Sequence, residues 1–204
     1  LAAYRASIER ELRAGQTTEH SFRPALKSLI EAMGMLVLGS QIIATNDPKR
    51  IACGAPDYNV RRETPHGSLT LGYAEAKDVG IPLSEVERSD QMRRYLPALD
   101  NLILTDYLEF RWYVGGSRRA VARLATVGGG LHLVMEPDGG DGVEGLLRAF
   151  LEHTATPISR PRELAERMAR LTHMIRDVIV RSFETETVSE TLRDLRTAFA
   201  EVLL

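Results

Sequence analysis

Three side chains of this sequence have the types and spacing of a metal-assisted hydrolytic site: Asp57, which follows a proline in GAPDYNV, and Glu75 and Lys77, two apart in YAEAKDVG. Hard divalent cations such as Mg2+ take oxygen ligands, often one or two carboxylates completed by water and phosphate oxygens. Hydrolysis of a phosphodiester needs such a cation, an attacking water and positive charge near the developing oxyanion. Asp57 and Glu75 supply carboxylates. In a strand, a lysine two residues beyond Glu75 points to the same side of the sheet, where it can orient a water or offset charge. Burying the three groups together is costly unless they pair with one another or hold a metal. The same residues also fit a plainer arrangement, because Pro-Asp starts turns and an acid and a lysine at i, i+2 form surface pairs. The local pattern leaves both readings open.

The surrounding chain supplies elements able to position these groups. Ala2 to Arg13 reads as a helix with Tyr4, Ile8 and Leu12 on one face, and Ser21 is a candidate N-cap for a second helix that buries Phe22, Leu26, Leu29 and Ile30. Beyond Gly39 the pattern turns extended, with a turn at Asn46, Asp47 and Pro48 and strand pieces at Ile51 to Cys53 and Tyr58 to Arg62. Leu69 to Lys77 alternates: Leu69, Leu71, Tyr73, Glu75 and Lys77 share one face, while the small residues Gly72, Ala74 and Ala76, with Thr70, share the other. A helix is expected to pack closely on that small-residue face. Ser89 is placed to cap a helix that carries Gln91 and Tyr95 on one side before Pro97 disturbs it. Asn101 to Thr105 and Glu109 to Val114 read as a hairpin about Asp106, and Val121 to Thr126 as a further strand.

After GGG (Gly128 to Gly130) and PDGGDG (Pro137 to Gly142), where Gly139 to Gly142 read as a flexible connection, the composition becomes helical. Helices are expected over 143–153, 162–183 and 189–203, with Thr187 and Glu190 as a capping box. The division expected is a mixed α/β domain over 1–136 and a helical extension over 143–204.

Taken in succession, GAPDYNV, GYAEAKDVG and SDQMRRYL resemble the PD-(D/E)xK nuclease core of restriction enzymes, with Pro56, Asp57, Glu75 and Lys77 as its named elements. Gln91 and Tyr95 have the Q-x-x-x-Y spacing of the helical motif in type I restriction subunits and their relatives. Together with TEHSFRPALKSLIE, NDPKRIACGAPDYNV and NLILTDYLEFRWY, the resemblance spans residues 16–114. Over that span it is similar to the N-terminal nuclease module of large single-chain restriction-modification proteins. The resemblance implies a restriction-endonuclease-like fold, a mixed central sheet flanked by helices. It further implies Asp57 and Glu75 as ligands of Mg2+, with Mn2+ as an alternative ion, the Ala76 carbonyl as a further ligand, and Glu19 on an N-terminal helix as a candidate addition to the metal site. Lys77 then activates or orients the water, and Gln91 and Tyr95 position these groups or a phosphate. The implied partners are double-stranded DNA, a covalently linked adenine-specific methyltransferase beyond Leu204, and a second copy for double-strand cleavage. No Asn-Pro-Pro-Tyr motif occurs in this chain, so methylation is not assigned to it.

Composition narrows the alternatives. Of the 204 residues, 44% are hydrophobic and 26% charged, which is ordinary for a soluble protein, and the net charge of −2 exerts no global pull on nucleic acid. The basic pairs Lys49/Arg50, Arg61/Arg62, Arg93/Arg94 and Arg118/Arg119 read singly as solvated surface. A lone cysteine, Cys53, forms no internal disulfide and suggests a reducing, cytoplasmic setting. The most apolar run, Met33 to Gly39, is far short of a membrane span, and no signal peptide is apparent. The chain begins at Leu1 and ends in the amphipathic EVLL, which reads as part of something longer. The glycine-rich stretches lack the residues of a phosphate-binding loop, the five histidines are scattered, and no serine or cysteine nucleophile signature is present. His20 could touch phosphate or simply face solvent; Phe110, Trp112 and Tyr113 could stack bases or fill a core. Two other functions stand beside the nuclease: a non-cleaving DNA-binding or interaction module that keeps the nuclease fold, and a helical scaffold centred on 143–204.

Overall fold

The computed structural model describes residues 1–15, 19–51, 53–64 and 67–153. The chain divides into two units, Leu1–Ala155 and Thr156–Leu204. The helices expected over 162–183 and 189–203, with the Thr187/Glu190 box, lie outside the described residues. The first unit opens with α1 (Ala2–Ala14), ended by Gly15 in the left-handed conformation, and α2 (Glu19–Leu38). Ser21 falls inside α2 and so does not cap it, because the helix already begins at Glu19.

Strands β1 (Ile42–Asn46), β2 (Tyr58–Thr64) and β3 (Gly67–Ala76) follow as an antiparallel meander. After α3 (Leu83–Val86) and α4 (Asp90–Ala98), β4 (Asn101–Thr105) joins β3 in parallel, and β5 (Glu109–Val114) and β6 (Ser117–Arg123) complete the sheet antiparallel. The strand order is β1-β2-β3-β4-β5-β6. Parallel pairing of β3 with β4 requires a crossover, and α3 and α4 provide it. Both strands therefore end at the same edge of the sheet, where Lys77 N donates to Thr105 O at 2.8 Å.

Alternation assigns each strand face to a different layer. In β4, Ile103 joins Ala74 and Ala76 of β3 in a core with α1 and α2, while Leu102 and Leu104 pack with Met92 and Tyr95 of α4. The small-residue face of β3 does receive a helix. A Cβ on Gly72 would stand 2.6 Å from Phe150, on α5 (Gly139–Glu152), so the absence of a side chain lets that ring approach the strand. This is the helix expected over 143–153, and it belongs to the first unit because Val143, Leu146, Leu147, Phe150 and Leu151 close its core. Asn101 fastens it, donating to Leu71 O at 2.8 Å and Phe150 O at 2.9 Å while accepting from Trp112 Nε1 at 2.7 Å.

Three local expectations change. Gly139 to Gly142 are the first turn of α5 rather than a flexible link; Gly139 is packed so tightly that a Cβ would meet the Arg123 and Leu124 carbonyls at 2.5 and 2.6 Å. The strand expected over 121–126 is two strands, since buried Leu124 separates β6 from β7 (Ala125–Val127), which pairs with β8 (Leu133–Met135) after a 3-10 turn (Gly129–Leu131). Of the strand expected over 51–53, Ile51 instead makes an isolated bridge to Gly54 and Cys53 lies in a turn, while residue 52 is outside the described residues. Phe110 and Tyr113 are buried, which settles their part as core aromatics.

Candidate active site

The end of β3 carries the acid and the lysine. Glu75 and Ala76 are its last two residues and Lys77 follows directly; Asp57 stands one residue before β2, the antiparallel neighbour of β3. That adjacency brings the two carboxylates together from positions 18 apart. They are tied reciprocally: Asp57 N donates to Glu75 Oε2 at 3.3 Å, and Ala76 N donates to Asp57 Oδ2 at 2.9 Å. Each carboxylate also has a cation. Lys77 Nζ lies 2.5 Å from Glu75 Oε1, and Arg23 Nη2 lies 2.5 Å from Asp57 Oδ1.

Helix α4 adds the remaining two residues. Ser89 caps it by accepting from Met92 N, as its position suggested, and the helix then presents Gln91 and Tyr95 one turn apart. Gln91 Oε1 accepts from Lys77 Nζ at 3.1 Å, and Gln91 Nε2 donates to Tyr95 Oη at 3.3 Å. A continuous set of contacts thus runs from Tyr95 through Gln91 and Lys77 to Glu75, and through the backbone links to Asp57 and Arg23. Gly54, at φ 139°, lets the Tyr95 ring lie against the loop before Asp57: a Cβ there would stand 2.9 Å from Tyr95 Cε1. Arg94 Nε donates to Cys53 O at 3.4 Å and joins the helix to the same loop.

Glu75 is 1% exposed. Burial pushes its carboxyl up, Asp57 raises it further by like charge, and Lys77 opposes both, leaving it at about 7. Tyr95 is raised as well, by burial first, although the hydrogen bond from Gln91 works against this. The site therefore holds one carboxylate that is costly to ionise where it lies, next to a second one and two cations. Among the described residues no group of three or more His, Cys, Asp and Glu side chains gathers to hold a metal. The donor set is the Asp57/Glu75 pair, two hard oxygen donors side by side, which fits a Mg2+-type ion that takes its other ligands from water and phosphate.

All five residues expected to act in catalysis are brought together: Asp57, Glu75, Lys77, Gln91 and Tyr95. Ala76 lies among them and contributes its amide to Asp57. Glu19 is the first residue of α2, and its side chain lies outside the described residues. His20 is exposed. Arg23 was missed by sequence reasoning. Read locally it is the one arginine of the second helix; only β1 and β2 pairing beneath α2 carries Asp57 to it. The single available signal was an arginine flanked by Phe22 and Leu26, on the face that faces the core.

No protein-family model and no curated protein matches the chain. Among solved structures, the fold is similar to a chain of a cryo-EM structure of a DrdV-DNA complex, with a TM-score of 0.53 and 19% identity, over 74% of this chain and 98% of that chain. The likeness is one of fold: the six-stranded mixed sheet flanked by helices is the restriction-endonuclease-like α/β arrangement.

Proposed function

We propose that the chain is a divalent-metal-dependent endonuclease domain that hydrolyses DNA phosphodiester bonds within a restriction-modification system. The observation that carries this reading is the joining of Asp57, Glu75, Lys77, Gln91 and Tyr95, from two strand ends and one helix, into one set of contacts. The similar fold in a DrdV-DNA complex supports DNA as the partner. Asp57 and Glu75, with the Ala76 carbonyl and Glu19 as candidate additions, would hold Mg2+ or Mn2+. Such an ion, when bound, lowers the pKa of a water and offsets phosphoryl charge.

The chain's own residues would do the rest. Lys77, held by Glu75 and Gln91, directs its ammonium beside the carboxylates, where it orients the attacking water and counters charge that develops on the phosphate. Gln91 fixes Lys77, and Tyr95 fixes Gln91. The stretch toward Leu204 would connect to a methyltransferase, and a second copy would cut the opposite strand. No helix among the described residues is long and apolar enough to cross a membrane, and a cytoplasmic site of action accords with the substrate.

The test is duplex DNA incubated with the full chain in Mg2+ or in EDTA. Cleavage is expected only with the metal, and D57A and K77A are expected to abolish it while the far-ultraviolet circular dichroism stays unchanged. Undiminished cutting by either folded variant refutes the assignment. One observation favours the non-cleaving DNA-binding module instead: both carboxylates already have cation partners inside the protein. That module would bind DNA and show no specific Mg2+ or Mn2+ uptake at Asp57 and Glu75.

A further inference from the structure

We propose that Arg23 is a positioning residue of this site, the counterpart for Asp57 of what Lys77 is for Glu75. The proposal rests on the metal-dependent reading above. Its argument is the symmetry of the contacts. Each candidate ligand accepts from a backbone amide and from a cationic side chain: Glu75 from Asp57 N and Lys77 Nζ, Asp57 from Ala76 N and Arg23 Nη2. Lys77 lies two residues from its carboxylate, whereas Arg23 reaches its own from another element, 34 positions away.

Arg23 is itself firmly placed. Its side chain is 7% exposed, and its carbonyl accepts from Tyr58 Oη at 2.8 Å, one residue beyond Asp57. Nη1 reaches Asp47 Oδ1 at 2.6 Å and Asn46 Oδ1 at 3.2 Å, so one planar guanidinium spans the β1 turn and the acid that precedes β2. Asp47 N in turn donates to Asp57 O at 2.9 Å. Asp47 is largely exposed, whereas Asp57 is not, so the Asp57 bond is the one shielded from solvent. A carboxylate held on one oxygen by the Ala76 amide and on the other by a fixed guanidinium has little freedom to rotate. Outer contacts of this kind orient a ligand for its ion, and their loss typically weakens metal binding about 10- to 100-fold.

The experiment is Mn2+ titration by calorimetry of the full chain without DNA, for the wild type, R23M and R23K. It is run beside the thermal midpoint and the affinity of the metal-free protein for a DNA duplex. R23M is expected to bind Mn2+ about 10- to 100-fold more weakly than the wild type. R23K is expected to fall between them, since an ammonium keeps the charge but cannot span Asp47 and Asp57, and duplex affinity should stay unchanged. Wild-type Mn2+ affinity in a folded R23M overturns the proposal and reduces Arg23 to a structural ion pair. Loss of duplex affinity with Mn2+ binding intact also overturns it, in favour of a direct phosphate contact. Should R23M not fold, R23K decides: weakened Mn2+ binding supports the proposal and wild-type binding overturns it. A wild type that takes up no Mn2+ refutes the metal-dependent reading itself, an outcome distinct from the failure of Arg23 alone.

Discussion

Replacing Glu75 by glutamine should make the metal-free protein more stable and inactive at once. The wild-type carboxyl moves from 4.5 to about 7 on folding, chiefly through burial and then the charge of Asp57. At about 1.4 kcal/mol per pH unit, that difference is about 3 kcal/mol borne by the folded state once Glu75 is ionised. Relaxation and water entry around a buried ion reduce such penalties, so a gain of about 1–3 kcal/mol is expected for E75Q at pH 8. The pH dependence follows from the direction of the change. Between pH 4.5 and about 7 the folded protein retains a proton that the unfolded chain has released, so wild-type stability falls as pH rises through that window. Glutamine has no proton to lose, and the two proteins should therefore converge near pH 4.5 and separate toward pH 8.

Urea unfolding in EDTA at pH 5, 6, 7 and 8 measures the gap. The fluorescence of Trp112, the chain's single tryptophan, reports the unfolding of the first unit, in which it lies. Saturating Mg2+ should stabilise the wild type and not E75Q. A variant that is less stable than the wild type at pH 8, or a gap that does not change with pH, would show that Glu75 is not a carboxylate held at a cost, and the reasoning would fail.

Two further substitutions probe the supports of the site. G54A should cost about 1–3 kcal/mol and depress cleavage, because the Cβ would meet the Tyr95 ring at 2.9 Å in a backbone conformation at φ 139°; equal urea midpoints for G54A and the wild type would disprove this. Glu109 is raised by burial, but hydrogen bonds from Arg123 and Arg111 carry it below its ordinary 4.5, so the stability it contributes is present above that pH and lost as pH falls beneath it. E109Q should accordingly flatten the acid side of the stability profile, and an acid limb as steep as the wild type's would contradict the assignment.

What could be read from the sequence was whatever local chemistry decides. The alternation that put Glu75 and Lys77 on one face of β3 and small residues on the other needs only the period of a strand, and the close packing of a helix on the small face followed from it; that the helix is α5, with Phe150 against Gly72, did not. The Ser89 cap and the pairing of Gln91 with Tyr95 need only helical geometry. Long-range pairing had no comparable local signature. Glycines at 139, 140 and 142 read as a loop because their intrinsic helix propensity is poor; packing of Gly139 against the Arg123 and Leu124 carbonyls overrides that. Arg23 was invisible for the same reason, since its meaning comes from β1 and β2 lying beneath α2.

The charges at the site explain why it is better read as an assembled device than as a surface pair. Two carboxylates and two cations are formally balanced, and a pair in solvent would need nothing more. Here Lys77 beside it does not restore Glu75 to its ordinary range, because burial and Asp57 together outweigh the ammonium. Hydrophobic replacement of buried ion pairs is often neutral or stabilising, so stability alone gives little reason to keep this arrangement. An added divalent cation would favour the ionised form of Glu75, the state that the protein by itself makes expensive. Cost without the metal and relief with it belong to the same four side chains, which is why stability in EDTA and in Mg2+ should move in opposite directions when Glu75 is neutralised.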